Sequence, residues 1–263
     1  ALARAREAAR RSSCANNLKQ WGLILKMYSG ESKGGLFPTA PQYMASNNGG
    51  NPVPLYHGIA GNTVYPEYWT DPNIWICPSD TRSTSGSPIQ DYNFMPPVPV
   101  EQDYAGQIQR IAANPDPLAR DWWLPLMLSI NPSYIYVSWG ARTGSQLLLA
   151  LVSQLFIVWY TDPGDFMGWA HGTASTWGTE FAIMRLKCYD RDIDSNMLVN
   201  VDFHIQQNTP GNWTDDGGAP LPTSMHRLKE GIERFYITDI NNPAASALAQ
   251  SELIVMFDVW AAG

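Results

Sequence analysis

ALARAREAARRSSCANNLKQWGLILKMYS, residues 1–29, is the stretch on which the fold turns. It contains no proline, and its one glycine is Gly22. Cys14, Leu18, Trp21, Leu25 and Tyr28 follow one another at alternating steps of four and three, which places all five on one face of a 3.6-residue helix. The turns before Cys14 have a different character. Arg4, Arg6, Arg10 and Arg11 are interleaved with alanine, and Glu7 is the only acid among them. The spacing therefore predicts a helix with a slender basic front and an apolar stripe along its back. Such a stripe holds a helix in water only when something packs on it, so the rest of the chain is expected to supply that partner. The chain opens in mid-helix without Met, which points to an upstream segment.

Working outward, the helix is expected to end near Ser29-Gly30, with Gly34-Gly35 supplying left-handed positions for the stop. Residues 39–65, rich in Pro, Gly and Asn, predict a long loop of the kind that is functional or packed on a neighbour. Trp69, Trp75 and Ile76 form an aromatic stretch leading to Cys77. Helices are predicted over 105–113, 118–128 and 143–158, the second presenting Trp122-Trp123. Residues 133–139 alternate aromatic and β-branched side chains and predict a strand. Further strands are predicted over 181–188, 197–204 and 253–259, a turn-rich insert over 208–222, and a helix or helical turn over 225–235.

The totals narrow the class. At 263 residues the chain can bury a substantial core as one domain with insertions. Charged residues are 16% of the chain against about a quarter in a typical domain, while Trp numbers 11 and Tyr 12. A surface poor in charge and rich in aromatics suits extensive protein–protein contact; ordinary aromatic core packing fits the same numbers. A net charge of −7 gives no overall support for nucleic-acid binding. No run of 18 apolar residues occurs, and the longest candidate, 147–160, is broken by Ser153-Gln154, so a membrane span is not expected within the chain.

Motifs for chemistry are sparse. His57, His171, His204 and His226 are dispersed, and no His-Glu-x-x-His, Gly-x-Ser-x-Gly or phosphate-binding glycine loop is present, so an enzyme is not expected. Asp190, Asp192 and Asp194 are weak calcium candidates, but a calcium loop starting at Asp190 would need Gly and Glu where Ser195 and Val201 stand. No other metal or cofactor is expected. The tryptophans, with Trp122, Trp123, Trp169 and Trp177 foremost, could instead form a carbohydrate-binding platform.

The segments Ala5–Arg11 and Cys14–Gln20 resemble the helix of bacterial type IV pilin-like proteins, most closely the planctomycete-type pseudopilins that carry a prepilin-type cleavage segment. Leu36-Phe37-Pro38, Gln90–Asn93, Ser133–Tyr136, Arg227–Phe235 and Ile237–Ala245 resemble further stretches of that family. The resemblance implies an α+β fold: a long N-terminal helix, residues 1–30, packed on the antiparallel sheet of a head, residues 31–263, with large loop insertions. It implies Leu18, Trp21, Leu25 and Tyr28 as the helix–head contact and Arg4, Arg6, Arg10 and Arg11 as residues of the assembly surface. The family often has a cysteine at the positions of Cys14 and Cys77, which implies a disulfide between them in an exported protein and leaves Cys188 over; three thiols in a reducing compartment are the alternative. The implied function is that of a structural subunit, one of identical chains polymerising into an extracellular or cell-surface filament or tube. Nucleic acid is not an expected partner, and a membrane would be met only through an upstream segment. A pseudopilin of a type II secretion machine and a surface carbohydrate-binding module are the alternatives. The family continues past the equivalent of Met256-Phe257-Asp258 into a final strand, and without it a sheet edge is expected to invite a neighbouring subunit.

Overall fold

The computed structural model describes residues 2–40, 43–47, 53–54, 58–79, 104–117, 119–129, 133–142, 146–147, 150, 166–173, 180–186, 192, 225–232 and 253–258. These form a coarse α+β arrangement of one long N-terminal helix, shorter helices and small antiparallel sheets. The predicted strand 197–204 and the insert 208–222 lie outside the described residues. So does most of 143–158, of which residues 146, 147 and 150 are helical.

Helix α1 spans Leu2–Glu31, one residue beyond the expected stop at Ser29-Gly30. Its final turn is closed by Ser32 N donating to Tyr28 O at 2.9 Å, and the chain then reverses through Gly34 and Gly35 at φ of 80° and 66°. A side chain at Gly35 would be strained at that φ and would also crowd Glu230 Cβ at 3.3 Å. Cys14, Trp21, Ile24, Leu25 and Ser29 are the buried residues of α1, and Leu18 and Tyr28 pack on the core half-buried. Ile24 widens the stripe by one row.

The core is organised around Trp21. Its ring centroid lies 4.4 Å from that of Trp75 and 5.0 Å from that of Trp69, in tilted contacts. Trp75 closes a 3-10 turn, Pro72–Trp75, begun by Asp71, whose carboxylate accepts from Asn73 N at 3.0 Å. Proline at the first position of that turn suits its fixed φ and missing N–H. Trp69 Nε1 donates to Asp71 O at 2.8 Å, so this indole is buried with its polar edge satisfied. Another 3-10 turn, Gly61–Thr63, sits so close to the helix α3, Leu124–Ser129, that a Cβ at Gly61 would lie 2.2 Å from Leu128 O. Helix α2, Tyr104–Ala112, contributes Tyr104, Ile108 and Ile111, and the Tyr104 hydroxyl donates to Met127 O at 2.9 Å. The single helix predicted over 118–128 is instead a π-helical turn, Ala119–Trp123, running into α3, and Trp122 packs half-buried on the core.

Strand β3, Tyr134–Tyr136, pairs with the late strand β6, Met256–Asp258, and the pairing continues as Val137 N to Val255 O and Ile254 N to Ala141 O. On its other side the 138–140 segment bonds to 226–228, which in turn bonds to Leu36-Phe37 through Phe37 N to Leu228 O. The helix expected over 225–235 is therefore corrected for its described part: residues 225–229 are extended and turn at Gly231, φ 73°. The backbone N–H of Leu228 donates to Ser138 O, and that of Glu230 to Gly35 O, rather than to carbonyls within the segment. Those long-range partners override the local helical pattern.

A separate four-stranded antiparallel sheet has the order β2-β1-β5-β4, with β1 Tyr43–Asn47, β2 Val53–Pro54, β4 Phe166–Thr173 and β5 Glu180–Leu186. The loop expected over 39–65 thus contains two strands and a 3-10 turn. Tyr43–Asn47 has little strand propensity of its own, but it pairs residue for residue with β5, Tyr43 opposite Arg185 through Asn47 opposite Phe181. Strand β4 is absent from the predicted strands, because its two glycines, Gly168 and Gly172, mask a strand signal in the sequence.

Because Trp21 touches both Trp69 and Trp75, Trp21→Ala should lower the unfolding free energy by about 3–5 kcal/mol in denaturant titration, while Leu23→Ala on the exposed face should change it by about 0.5 kcal/mol or less.

Candidate assembly surface

Helix α1 divides at Cys14. Behind it the helix is tied to the globule; ahead of it, residues 2–13 are exposed, apart from a half-buried Glu7. The tie begins with a disulfide between Cys14 and Cys77, Cα atoms 5.1 Å apart, closing a sequence separation of 63. Both cysteines are buried. One turn further, Asn17 Nδ2 donates to Ile76 O at 2.9 Å, next to the disulfide, and lies 3.3 Å from the Tyr134 hydroxyl. Trp21 and Leu25 then enter the core, and Tyr28 meets Tyr68 edge to face at 5.8 Å.

At the C-terminal end of α1 the contacts turn polar. Lys26 Nζ lies 2.7 and 2.8 Å from the two Glu230 carboxylate oxygens, and Ser29 Oγ lies 2.9 Å from one of them. The hydrogen bond from Lys26 holds the Glu230 carboxyl below its ordinary range; partial burial opposes this and Ser29 adds to it. The Tyr68 hydroxyl donates to the Glu31 carboxylate at 2.7 Å, and that bond, with burial and the charges of Glu31 and Glu67, pushes the phenol up to about 12.

Arg227, within the stretch that resembles a family motif, is the central buried cation of the described residues. It is 2% exposed, and its guanidinium donates to three backbone carbonyls: Ser138 O at 2.6 Å, Phe37 O at 2.8 Å and Pro38 O at 3.2 Å. It therefore staples the turn leaving α1 to the 134–141 segment, with the Tyr136 hydroxyl adding a bond to Pro38 O at 2.7 Å. Its place in an alternating extended segment could have signalled burial, but the lysine and glutamate after it mimic a solvated helix.

Of the calcium candidates, Asp190 and Asp194 lie outside the described residues. Asp192 is occupied by the chain's own donors: one oxygen accepts from Arg227 N at 2.7 Å, and the other is 3.0 Å from His226 Nδ1. Burial alone would raise this carboxyl, but the bonds from His226 and the Arg227 amide outweigh it and hold it low. Among the described residues no group of three or more His, Cys, Asp or Glu is arranged to hold a metal. Also among them, no helix is long and apolar enough to cross a membrane.

Arg4, Arg6 and Arg10 are exposed, with no carboxylate of the described residues in ion-pair range; Arg11 pairs with Glu7 at 3.1 Å. Leu2, Leu23 and Met27, the exposed large apolar side chains of the described residues, all belong to α1 and lie away from its buried stripe. An open groove of about 680 Å³ runs beside the tied half, walled by Leu18, Gly22 and Leu25 of α1 and by Leu228, Val255 and Met256. Trp21, Trp69, Trp75 and Trp139 are fully buried and unavailable as a surface platform. The side chains of Trp123, Trp169 and Trp177 lie outside the description.

A family model described as a protein of unknown function (DUF1559) matches residues 3–51. Neither a curated protein nor a solved structure matches the chain. The match covers α1, with its basic front and its tied back, together with β1.

Two outcomes are expected. Replacing both cysteines (C14S/C77S) should cost about 4 kcal/mol in the chain-entropy account, read by urea unfolding against the oxidised chain, and non-reducing peptide mapping should recover Cys14 joined to Cys77. Asp192 and Glu230 are both held below their ordinary values, so their stabilisation is present above the ordinary carboxyl range near about 4 and is lost as pH falls through the depressed values. The Tm of wild type should therefore drop on acidification, and Glu230→Gln should flatten that drop.

Proposed function

We propose that the chain is a pilin-like structural subunit whose identical copies polymerise into an extracellular or cell-surface filament or tube. The observation that carries this reading is the division of α1: a back half cross-linked and packed into the globule, and a front half of about three turns that is exposed but for Glu7, which accepts from Ser79 Oγ at 3.3 Å. An isolated helix of that length is marginal in water, so the front is stabilised by continuity with the clamped back and by contacts that other copies would make. The organisation in question is a helix, residues 1–30, laid on antiparallel segments of a head, residues 31–263, with insertions around it. Leu18, Trp21, Leu25 and Tyr28 face the head, and Arg4, Arg6, Arg10 and Arg11 belong to the assembly surface. A match to the first fifth of the chain by a family model of no described function is compatible with this reading.

Head-to-tail contacts between identical copies grow open helical polymers when the rotation does not close, which is the growth mode a filament or tube needs. On this reading the protein is no enzyme and needs no cofactor, nucleic acid is not its partner, and a membrane is met only through a segment upstream of residue 1. Negative-stain electron microscopy of the purified chain at rising concentration should show elongated particles of uniform width. Dispersed monomers at every concentration would contradict the proposal, and retention on insoluble polysaccharide by such monomers would favour a carbohydrate-binding module.

A further inference from the structure

The four arginines at the front of α1 differ in what flanks them along the chain. An endopeptidase reads its substrate in extended form, over about three residues on either side of the cut bond, and holds the side chain before that bond in a pocket of its own. Every residue of that frame must therefore be able to leave the helix. Around Arg4 and Arg6 the frame takes in Glu7, which is half-buried and accepts from Ser79 Oγ at 3.3 Å. Around Arg11 it takes in Cys14, buried in the disulfide to Cys77. Around Arg10 it runs from Ala8 to Ser13, and all of these residues are exposed. The Arg10 guanidinium has no carboxylate of the described residues in ion-pair range, whereas that of Arg11 is held by Glu7 at 3.1 Å.

The same frame fails at the other described arginines. Buried Ile108 and Ile111 flank Arg110, buried Ala141 precedes Arg142, and half-buried Trp122 follows Arg120. Arg185 sits within the paired strand β5, and Arg227 is itself buried. At Arg10, by contrast, opening the frame disturbs only the helix. The side-chain bonds lost are Ser13 Oγ to Ala9 O at 3.1 Å and the Arg11–Glu7 pair. A helical segment of about three turns is marginal by itself in water, so its local opening belongs to the low-cost end of the molecule's motions.

We propose that the peptide bond between Arg10 and Arg11 is a processing site for an arginine-specific endopeptidase, one whose pocket holds the Arg10 guanidinium against a carboxylate. Water adds across the bond: the C–N bond breaks, Arg10 keeps the new carboxylate and Arg11 the new amino group. The products are residues 1–10 and a globule of residues 11–263. Both cysteines of the clamp lie in the longer piece, as do Trp21, Trp69 and Trp75, so the fastening of the back half survives the cut. Arg4, Arg6 and Arg10 leave with the shorter piece. The site stands without the self-assembly reading; taken with it, the cut strips the globule of most of its basic front and frees it from whatever that front holds.

The test is limited digestion of the whole, dispersed chain with clostripain, an arginine-specific endopeptidase, followed by intact-mass spectrometry without reduction. Residues 11–263 should be the first product, and the Tm of this product should match that of the uncut chain. Arg10→Gln should slow the loss of the front at least about tenfold, because the pocket then meets a side chain without charge. R4Q/R6Q should leave the cut unchanged. Protein recovered from cells that make it should include a chain beginning at Arg11, and that chain should be missing when the cells make R10Q.

A first cut at another arginine, an R10Q chain that loses its front at the wild-type rate, or a product that melts well below the uncut chain would overturn the proposal. So would recovered protein with no chain beginning at Arg11. Assembled material should be cut slowly where copies cover the front; an unchanged rate in elongated particles would count against the front as the assembly surface while leaving the processing site standing.

Discussion

The structure depends on the burial of one indole. Trp21 sits fully buried between Trp69 and Trp75, and through them it joins the long helix to the turn that carries Cys77. The disulfide to Cys14 lies two turns nearer the front of the same helix, so covalent and apolar restraints act in series along one stripe. Either alone would leave the helix free to pivot. Together they fix its axis and its rotation, and thereby decide which side chains face the globule and which face outward.

From that constraint the remaining packing follows. With α1 held, the chain can reverse at Gly34-Gly35 and run beside residues 227–229, where the buried guanidinium of Arg227 gathers the carbonyls of Phe37, Pro38 and Ser138. A buried cation is expensive, and this guanidinium is held by several short bonds to backbone carbonyls at once. The Lys26–Glu230 pair and Ser29 close the same corner from the helix side. These polar contacts sit at the rear of the helix, whereas the front half is exposed but for Glu7, which accepts from Ser79 Oγ at 3.3 Å.

How far this was legible in the sequence depended on whether a residue's partner was local. The α1 stripe could be read because its period is set within the helix itself; the flanking positions Ile24 and Ser29, also buried, lie outside it. The resemblance implied the Cys14–Cys77 link, which the sequence alone left among alternatives. The extended path of residues 225–229 was not legible, because its hydrogen bonds go to residues some 90 and 190 positions away while its local composition favours a helix. Strand β1 was likewise hidden, being a weak strand former recruited by β5. On the candidate surface the arginines stood out at once. The Glu31–Tyr68 bond did not, since it joins residues 37 positions apart.

Hydrogen–deuterium exchange along α1 addresses the central claim most directly. If the helix is clamped behind Cys14 and bare ahead of it, amides of residues 14–29 should exchange slowly in the dispersed chain and those of residues 2–13 quickly, with the front alone gaining protection in assembled material. Uniformly slow exchange over the whole helix in a lone molecule, or fast exchange through Trp21 and Leu25, would contradict it.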